Sequence, residues 1–235
     1  MTRVIRKIIL VYACVGVLAA CETKSFYRSA TLGDGQARRS VVLMPVDIEL
    51  GELQAGGLVE PKADWTDLGR KLMTEAVEAK LKEQNARLIV ANPDLVLDNP
   101  DHPELRLLKL NEAVGTAILF HKISGFAPLP SKADIFDWTL GPEAKVLKDR
   151  YGSDYALFVW VRDSYTSPGR VAVIVVAAAL GVAVQGGVQI GFATLVDLNT
   201  GDVLWINRLA RGVGDLRQAD GAANTVALLL DQFPK

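Results

Sequence analysis

The stretch VAVIVVAAALGVAVQGGVQIGFATLV, residues 171 to 196, restricts the possible folds more than any other part of the chain. It is 26 residues without a charge, in a chain of 235 residues of which 23% are charged. A membrane-crossing helix needs about 20 apolar residues to pass ~30 Å of hydrocarbon. The strictly apolar part, Val171 to Val184, has 14 residues. At ~1.5 Å per residue these make a helix of only about 21 Å. Gln185, Gly186, Gly187 and Gln189 then interrupt it, and a Gly-Gly pair between amides breaks a helix and adds polar cost. A span would also carry the following hairpin away from its sheet partners. The run therefore reads as a composite. Val171 to Val184 is a short apolar helix or β-excursion, Gln185 to Gly187 a turn, and Val188 to Leu198 a strand.

An excursion this apolar has no polar face of its own. It either buries in its own domain or forms an exposed patch, and such patches mark partner or membrane sites. Val171, Val173, Ile174, Val175, Val176, Leu180, Val182 and Val184 are the candidate contact residues.

The other apolar stretch opens the chain. Arg3, Arg6 and Lys7 precede an apolar core from Ile8 to Leu18, which has the length of a secretory signal. The core ends in Leu18-Ala19-Ala20-Cys21, which resembles the lipobox of bacterial lipoproteins. The resemblance implies diacylglycerol transfer to the Cys21 sulfur, cleavage before Cys21 and acylation of the new amino group. Residues 1–20 are then a signal peptide, 21–39 a tether and 40–235 a single periplasmic domain. Cleavage removes Cys14 and leaves no free thiol, so neither a disulfide framework nor a cysteine metal site is expected. It also takes the 26 basic residues to 23, against 27 acidic. A balance of this kind gives no electrostatic footprint for nucleic acid. Glu22 stands where enteric lipoproteins carry an aspartate to stay in the inner membrane. Its identity points to the periplasmic face of the outer membrane, with the inner membrane as the alternative.

Between the two apolar stretches the pattern alternates strand and helix. VVLMPVDIEL from Val41 reads as one buried strand, and residues 51 to 61 as a glycine-rich loop. Asp64 to Asn85 reads as a helix, with Trp65, Leu68, Leu72, Ala76 and Ala79 on one stripe. RLIVAN is a strand. A helix opens at Pro103, where a missing N–H costs nothing, and another runs from Pro142 to Tyr151. DYALFVWVRD is a strand. VQIGFATLVDL and VLWINRL flank Asn199-Thr200-Gly201-Asp202 as a hairpin with Gly201 at positive φ. A last helix spans about Leu216 to Gln232. The expected fold is α/β: a mixed sheet of about five strands with helices packed on it, and the apolar excursion before the last hairpin.

The lipobox, the VVLMPVD strand, the YALFVWVRD strand and the LVDLNTGDVLW hairpin occur in an order similar to a set of proteobacterial lipoproteins. The order also resembles the α/β domain of the curli-secretion lipoprotein and the amino-terminal domain of the Tol-Pal propeller protein. This implies a non-catalytic role in binding or envelope assembly. The partners would be the membrane, through acylated Cys21, and an envelope protein or a second copy. An envelope-polymer hydrolase and a secretion-channel subunit are the alternatives.

Chemistry is sparse. His102 and His121 lack a metal-ligand spacing. Asp94, Asp98 and Asp101 lack the glycine and terminal glutamate of a calcium loop. Arg162 and Asp163 close a strand beside Ser164 and Tyr165, where sites lie in α/β sheets, and Arg208, Arg211 and Arg217 form a weak basic patch. No catalytic residue, cofactor or metal is expected.

Overall fold

A twelve-residue strand, β6 (Tyr155–Thr166), organises the sheet. It reads YALFVWVRDSYT and is almost continuously apolar as far as Val161, as a strand covered on both faces must be. The structure, a computed structural model, describes residues 23–28, 40–83, 87–97, 101–132, 134–212 and 214–234. Residues 1–22, with the signal sequence and Cys21, and 29–39 of the expected tether lie outside these.

One edge of β6 pairs antiparallel, from Tyr155 to Asp163, with β7 (Gln189–Asp197), which continues through the hairpin into β8 (Val203–Arg211). The other edge pairs parallel with two strands in succession. β2 (Ser40–Leu43) takes the first half and β3 (Asp47–Leu53) the second. These two are the single run VVLMPVDIEL, divided at Pro45. Four steps from Leu43 to Asp47 oppose three from Leu157 to Trp160, which is the count of a β-bulge. Proline lacks the N–H for the ladder, so the break falls where it stands. Beyond β2 lies β5 (Arg87–Val90), parallel, and beyond β3 lies the short β4 (Val59–Pro61), antiparallel.

The fold is α/β with a mixed sheet and helices packed on it, as the sequence implies, but the described residues hold eight strands rather than about five. Three make the difference. Pro45 turns one strand into two. β4 forms inside the expected loop at 51 to 61. Residues Thr23–Tyr27, read as part of a tether, form β1 at the sheet edge, antiparallel to β8. Alternation explains β1: Phe26 packs on one face of the sheet and Tyr27 on the other, with Tyr27 Oη donating to the Gln232 carbonyl at 2.6 Å.

Helices cover both faces. α1 (Ala63–Glu83) lies on one. α2 (Pro93–Leu97), α3 (Pro103–Ile118) and α4 (Lys145–Tyr151) lie on the other, and α3 runs on through a π-turn to Ile123. α5 (Pro168–Ala179) joins β6 to β7, and α6 (Ala219–Leu229) returns to the face of α1. The first core joins Met73, Val77 and Leu81 of α1 and Val226 and Leu229 of α6 to Leu157, Val159, Val161 and Trp205. The second joins Leu107, Leu108 and Ile118 of α3 to Phe158, Phe192 and Ile206. The buried stripe of α1 is Gly69, Met73, Val77 and Leu81, one residue on from the expected one, and Leu68 is exposed. Gly69 sets this phase. A Cβ there would stand 3.2 Å from Leu50 Cδ2, so the bare glycine lets the helix settle on β3.

Gly115 plays the same part on the second face. A Cβ would fall 2.2 Å from Cε2 of Phe192, whose ring is fully buried and stacked on Trp160 at 5.2 Å. Alanine favours a helix interior over glycine by about 1 kcal/mol, yet overpacking of a filled core costs about 1–3 kcal/mol. Gly115→Ala is therefore expected to lower the urea midpoint, and an unchanged or raised midpoint would contradict this packing.

Candidate functional site

The link between β6 and β7 is the most unusual surface of the molecule. Ser167 caps α5, its hydroxyl accepting from the Arg170 N–H at 3.1 Å, and Pro168 occupies the first turn. From Val171 onward the helix carries only Val, Ile and Ala. It ends at Leu180 and Gly181, where φ is +75°, a conformation glycine adopts without strain. The chain then returns along residues 182 to 188 to β7.

Not one residue of α5 is buried. Leu180 is 76% exposed, Val175 63% and Val176 61%. Val171, Val173 and Val182 are also exposed, and Ile174 and Val184 are half-buried. All eight expected contact residues thus lie in one lobe, and six of them face outward. Ala172, Val173, Val176, Ala177 and Leu180 line a shallow apolar groove on it. None of the described helices is long and apolar enough to cross a membrane.

Polar groups at the foot of the lobe hold it in place. The Arg170 guanidinium donates to the Gln185 carbonyl from Nε and Nη2, at 3.2 and 2.9 Å, and from Nη1 to the Ala55 carbonyl at 3.2 Å. This joins helix, return limb and the tip of the β3–β4 hairpin. The Gly187 N–H donates to Thr166 Oγ1 at 2.8 Å, and Ser164 Oγ accepts from the Val188 N–H at 3.0 Å. Gly186 and Gly187, expected as a turn, serve instead for close approach. A Cβ on Gly187 would stand 2.1 Å from the Ser164 carbonyl oxygen, and one on Gly186 3.2 Å from Thr166 Oγ1. The hairpin tip adds a residue that sequence reasoning missed, Leu58, 79% exposed. Its only sequence signal is the Leu-Val pair that follows Gly56-Gly57.

Directly below lies a small polar cleft of about 110 Å³, lined in part by Asp163, Tyr165, Thr166 and Gln189. The Asp163 carboxylate accepts from Tyr165 Oη at 2.8 Å and Gln189 Nε2 at 2.7 Å. Burial pushes this carboxyl up to about 6, against the hydrogen bonds of Tyr165 and Gln189 and the charge of Arg211. Burial, then the Asp163 charge, pushes the Tyr165 hydroxyl up as well. Arg217 pairs with Asp215 and lies over the rings of Tyr165 and Trp65, at 3.9 and 4.6 Å. Every one of these groups is engaged with another. Ser164 Oγ is spent on Val188, accepting from its N–H and donating to its carbonyl.

The remaining sequence candidates do not converge. Strand alternation sends Arg162 to the opposite face from Asp163, where it pairs with Asp47 at 2.9 Å and Glu112 at 3.4 Å. His102 accepts from the Glu104 N–H at the start of α3, and His121 Nδ1 lies 2.7 Å from the Ala127 carbonyl. Asp98 lies outside the described residues, and among those described no cluster of His, Cys, Asp and Glu can hold a metal. Within the basic patch, Arg211 bonds Gln189, Asn224 and Thr225, and Arg217 pairs with Asp215.

No family model and no curated protein matches the chain. Among solved structures, the PelC dodecamer from Paraburkholderia phytofirmans aligns with a TM-score of 0.43 at 12% identity, over 90% of this chain and 96% of that one. A single-substitution variant of that dodecamer gives 0.41 at 14% identity over the same shares. The LpoB C-terminal domain from Salmonella enterica gives 0.30 at 13%, over 76% and 86%. Likeness of this degree bears on neither partners nor activity.

The polar cleft has a measurable signature. A carboxyl whose folded pKa is raised to about 6 contributes stability that is fully present below the unfolded pKa and lost as pH rises through the folded one. Asp163→Asn removes the titration. Relative to the parent, the variant is expected to gain up to about 3 kcal/mol between about pH 4 and pH 7. Urea unfolding at each pH measures this, and a constant difference across the range would contradict it.

Proposed function

We propose that this chain is a lipid-anchored lipoprotein of the bacterial envelope with a non-catalytic role in binding or assembly. In this reading Cys21 is acylated, the folded domain is periplasmic and the outer membrane holds the anchor. The α5 lobe is the docking surface. The observation that carries the reading is a helix of twelve residues with none buried, on a domain whose other long helices each bury a stripe. A lobe of valines left in water would be an aggregation liability unless something covers it. The Leu18-Ala19-Ala20-Cys21 motif supports the anchor. The pairing of Tyr165 with Asp163 and of Ser164 with Val188 among the described residues supports binding over hydrolysis.

Two measurements test this. The mature amino-terminal peptide is expected to carry three acyl chains on Cys21 and to sediment with the outer membrane, whereas Cys21→Ser is expected to lose both properties. An unmodified Cys21 in the parent overturns the anchor. Val175→Asp with Ala179→Asp replaces two exposed positions, so stability is expected to change by no more than about 0.5 kcal/mol per site. The doubly substituted, acylated protein is expected to change its fractionation or its oligomeric state. Unchanged behaviour in both would overturn the lobe as a docking surface.

A further inference from the structure

Three features leave the sheet at one end, and their levels follow from the strand register. Thr23 stands opposite Leu209, Leu209 opposite Gly191, and Gly191 opposite Val161, in one row across the sheet. β1 is antiparallel to β8, so the chain before Thr23 leaves towards the end where β6 passes into α5. β3 is parallel to β6, with Leu53 opposite Thr166, so the hairpin tip bearing Leu58 emerges there too. Arg170 ties that tip to the lobe.

Chain reach then sets the heights. Thr23 is two residue steps from Cys21, and two steps extend at most about 7 Å. Cys21 can therefore rise no further than the row of Asp163. Thr166, from which the lobe starts, lies three residues beyond that row, or ~10 Å at ~3.3 Å per residue. The lobe begins farther out than the Cys21 backbone can reach, so a leaflet that takes up the acyl chains of that cysteine meets the lobe as well.

We infer that the α5 lobe, with Leu58 beside it, inserts into the bilayer leaflet that holds the acylated cysteine, so that this end of the sheet is seated on the membrane. The inference rests on the acylation of Cys21 proposed above. The lobe's chemistry selects lipid over a protein partner. A protein-binding helix offers one apolar face, whereas Val171, Val173, Val175 and Val176 are exposed at successive angles around α5. A helix apolar on all sides belongs in a surrounding apolar medium.

Size sets the depth. Twelve residues make about 18 Å of helix, against ~30 Å of hydrocarbon, so the lobe stays within one leaflet. The return limb from 182 to 188 is not helical, and lipid does not satisfy exposed backbone groups. The lobe therefore seats ~5–10 Å deep at the boundary of headgroups and acyl chains. Arg170 and Gln185 remain at its foot among the headgroups, where a guanidinium and an amide are tolerated.

With Cys21 acylated, an introduced cysteine is the only free thiol of the mature chain. Leu180→Cys, Leu58→Cys and Thr200→Cys are each labelled with an environment-sensitive fluorophore. Thr200 lies in the β7–β8 turn, at the far end of the sheet. The acylated proteins are placed on vesicles of phosphatidylethanolamine and phosphatidylglycerol, with and without brominated acyl chains. Circular dichroism verifies the fold, and the mass of the amino-terminal peptide verifies acylation. Labels at 180 and 58 are expected to lose most of their emission to brominated lipid, and the label at 200 none. Water-like emission at 180 overturns the inference. So does a blue-shifted emission that brominated lipid leaves unquenched, which means a protein covers the lobe. Equal quenching at 200 overturns the orientation. A chain found unacylated instead brings down the anchoring itself, and the two failures are told apart in one preparation.

Discussion

The whole fold hangs on the ladder of β6. Its first half holds β2 and its second half β3 on the same edge, and β7 lies along the other. The bulge at Pro45 lets one segment serve both halves while the sheet twists. Both cores are built on its alternation, with Leu157, Val159 and Val161 on one face and Ala156 and Phe158 on the other. Because β6 runs past the row where β1 begins, whatever follows Thr166 is carried beyond the body of the domain. The position of the lobe is a consequence of strand length.

The lobe is costly unless it is covered. Fully burying a Val or Leu side chain contributes about 1.5–3 kcal/mol. Six large apolar side chains left outward therefore forgo on the order of 10 kcal/mol, comparable to the net stability of a whole domain. A lipid anchor holds a protein to a membrane at one point, and in the proposed seating the lobe adds a second. Its effect is orientation. In the proposed seating, one acylated residue alone would leave the domain free to swivel, whereas an anchor and a lobe at separate points would fix its orientation on the membrane. The Asp163 cleft beneath stiffens that foundation, linking β6, β7 and the segment before α6 through Tyr165 and Gln189.

Much of this was legible in the sequence. Continuous apolar runs gave the central strands, Gly201 in Asn-Thr-Gly-Asp gave the hairpin, and the absence of any charge between Val171 and Val196 gave the lobe. What was not legible depends on partners distant in sequence. β1 looks like a tether because its five residues are apolar only at Phe26 and Tyr27, and its pairing surface is supplied by β8. The phase of α1 turns on Gly69 meeting Leu50, which no local pattern reveals. The glycines at 186 and 187 carry the same composition whether they make a turn or pass close to β6. Leu58 gains meaning only when β3 pairs with β6 and brings the hairpin tip to Arg170. Catalytic patterning was weak in the sequence, and the described residues keep Arg162 and Asp163 on opposite faces.

Neutron reflectometry of the acylated protein on a supported bilayer tests the central claim most directly, because it measures where protein density lies relative to the lipid. The account predicts protein density that overlaps the headgroup layer, with no water layer between domain and membrane. A hydrated gap between the headgroups and the domain, with the protein standing off on its anchor, would contradict it.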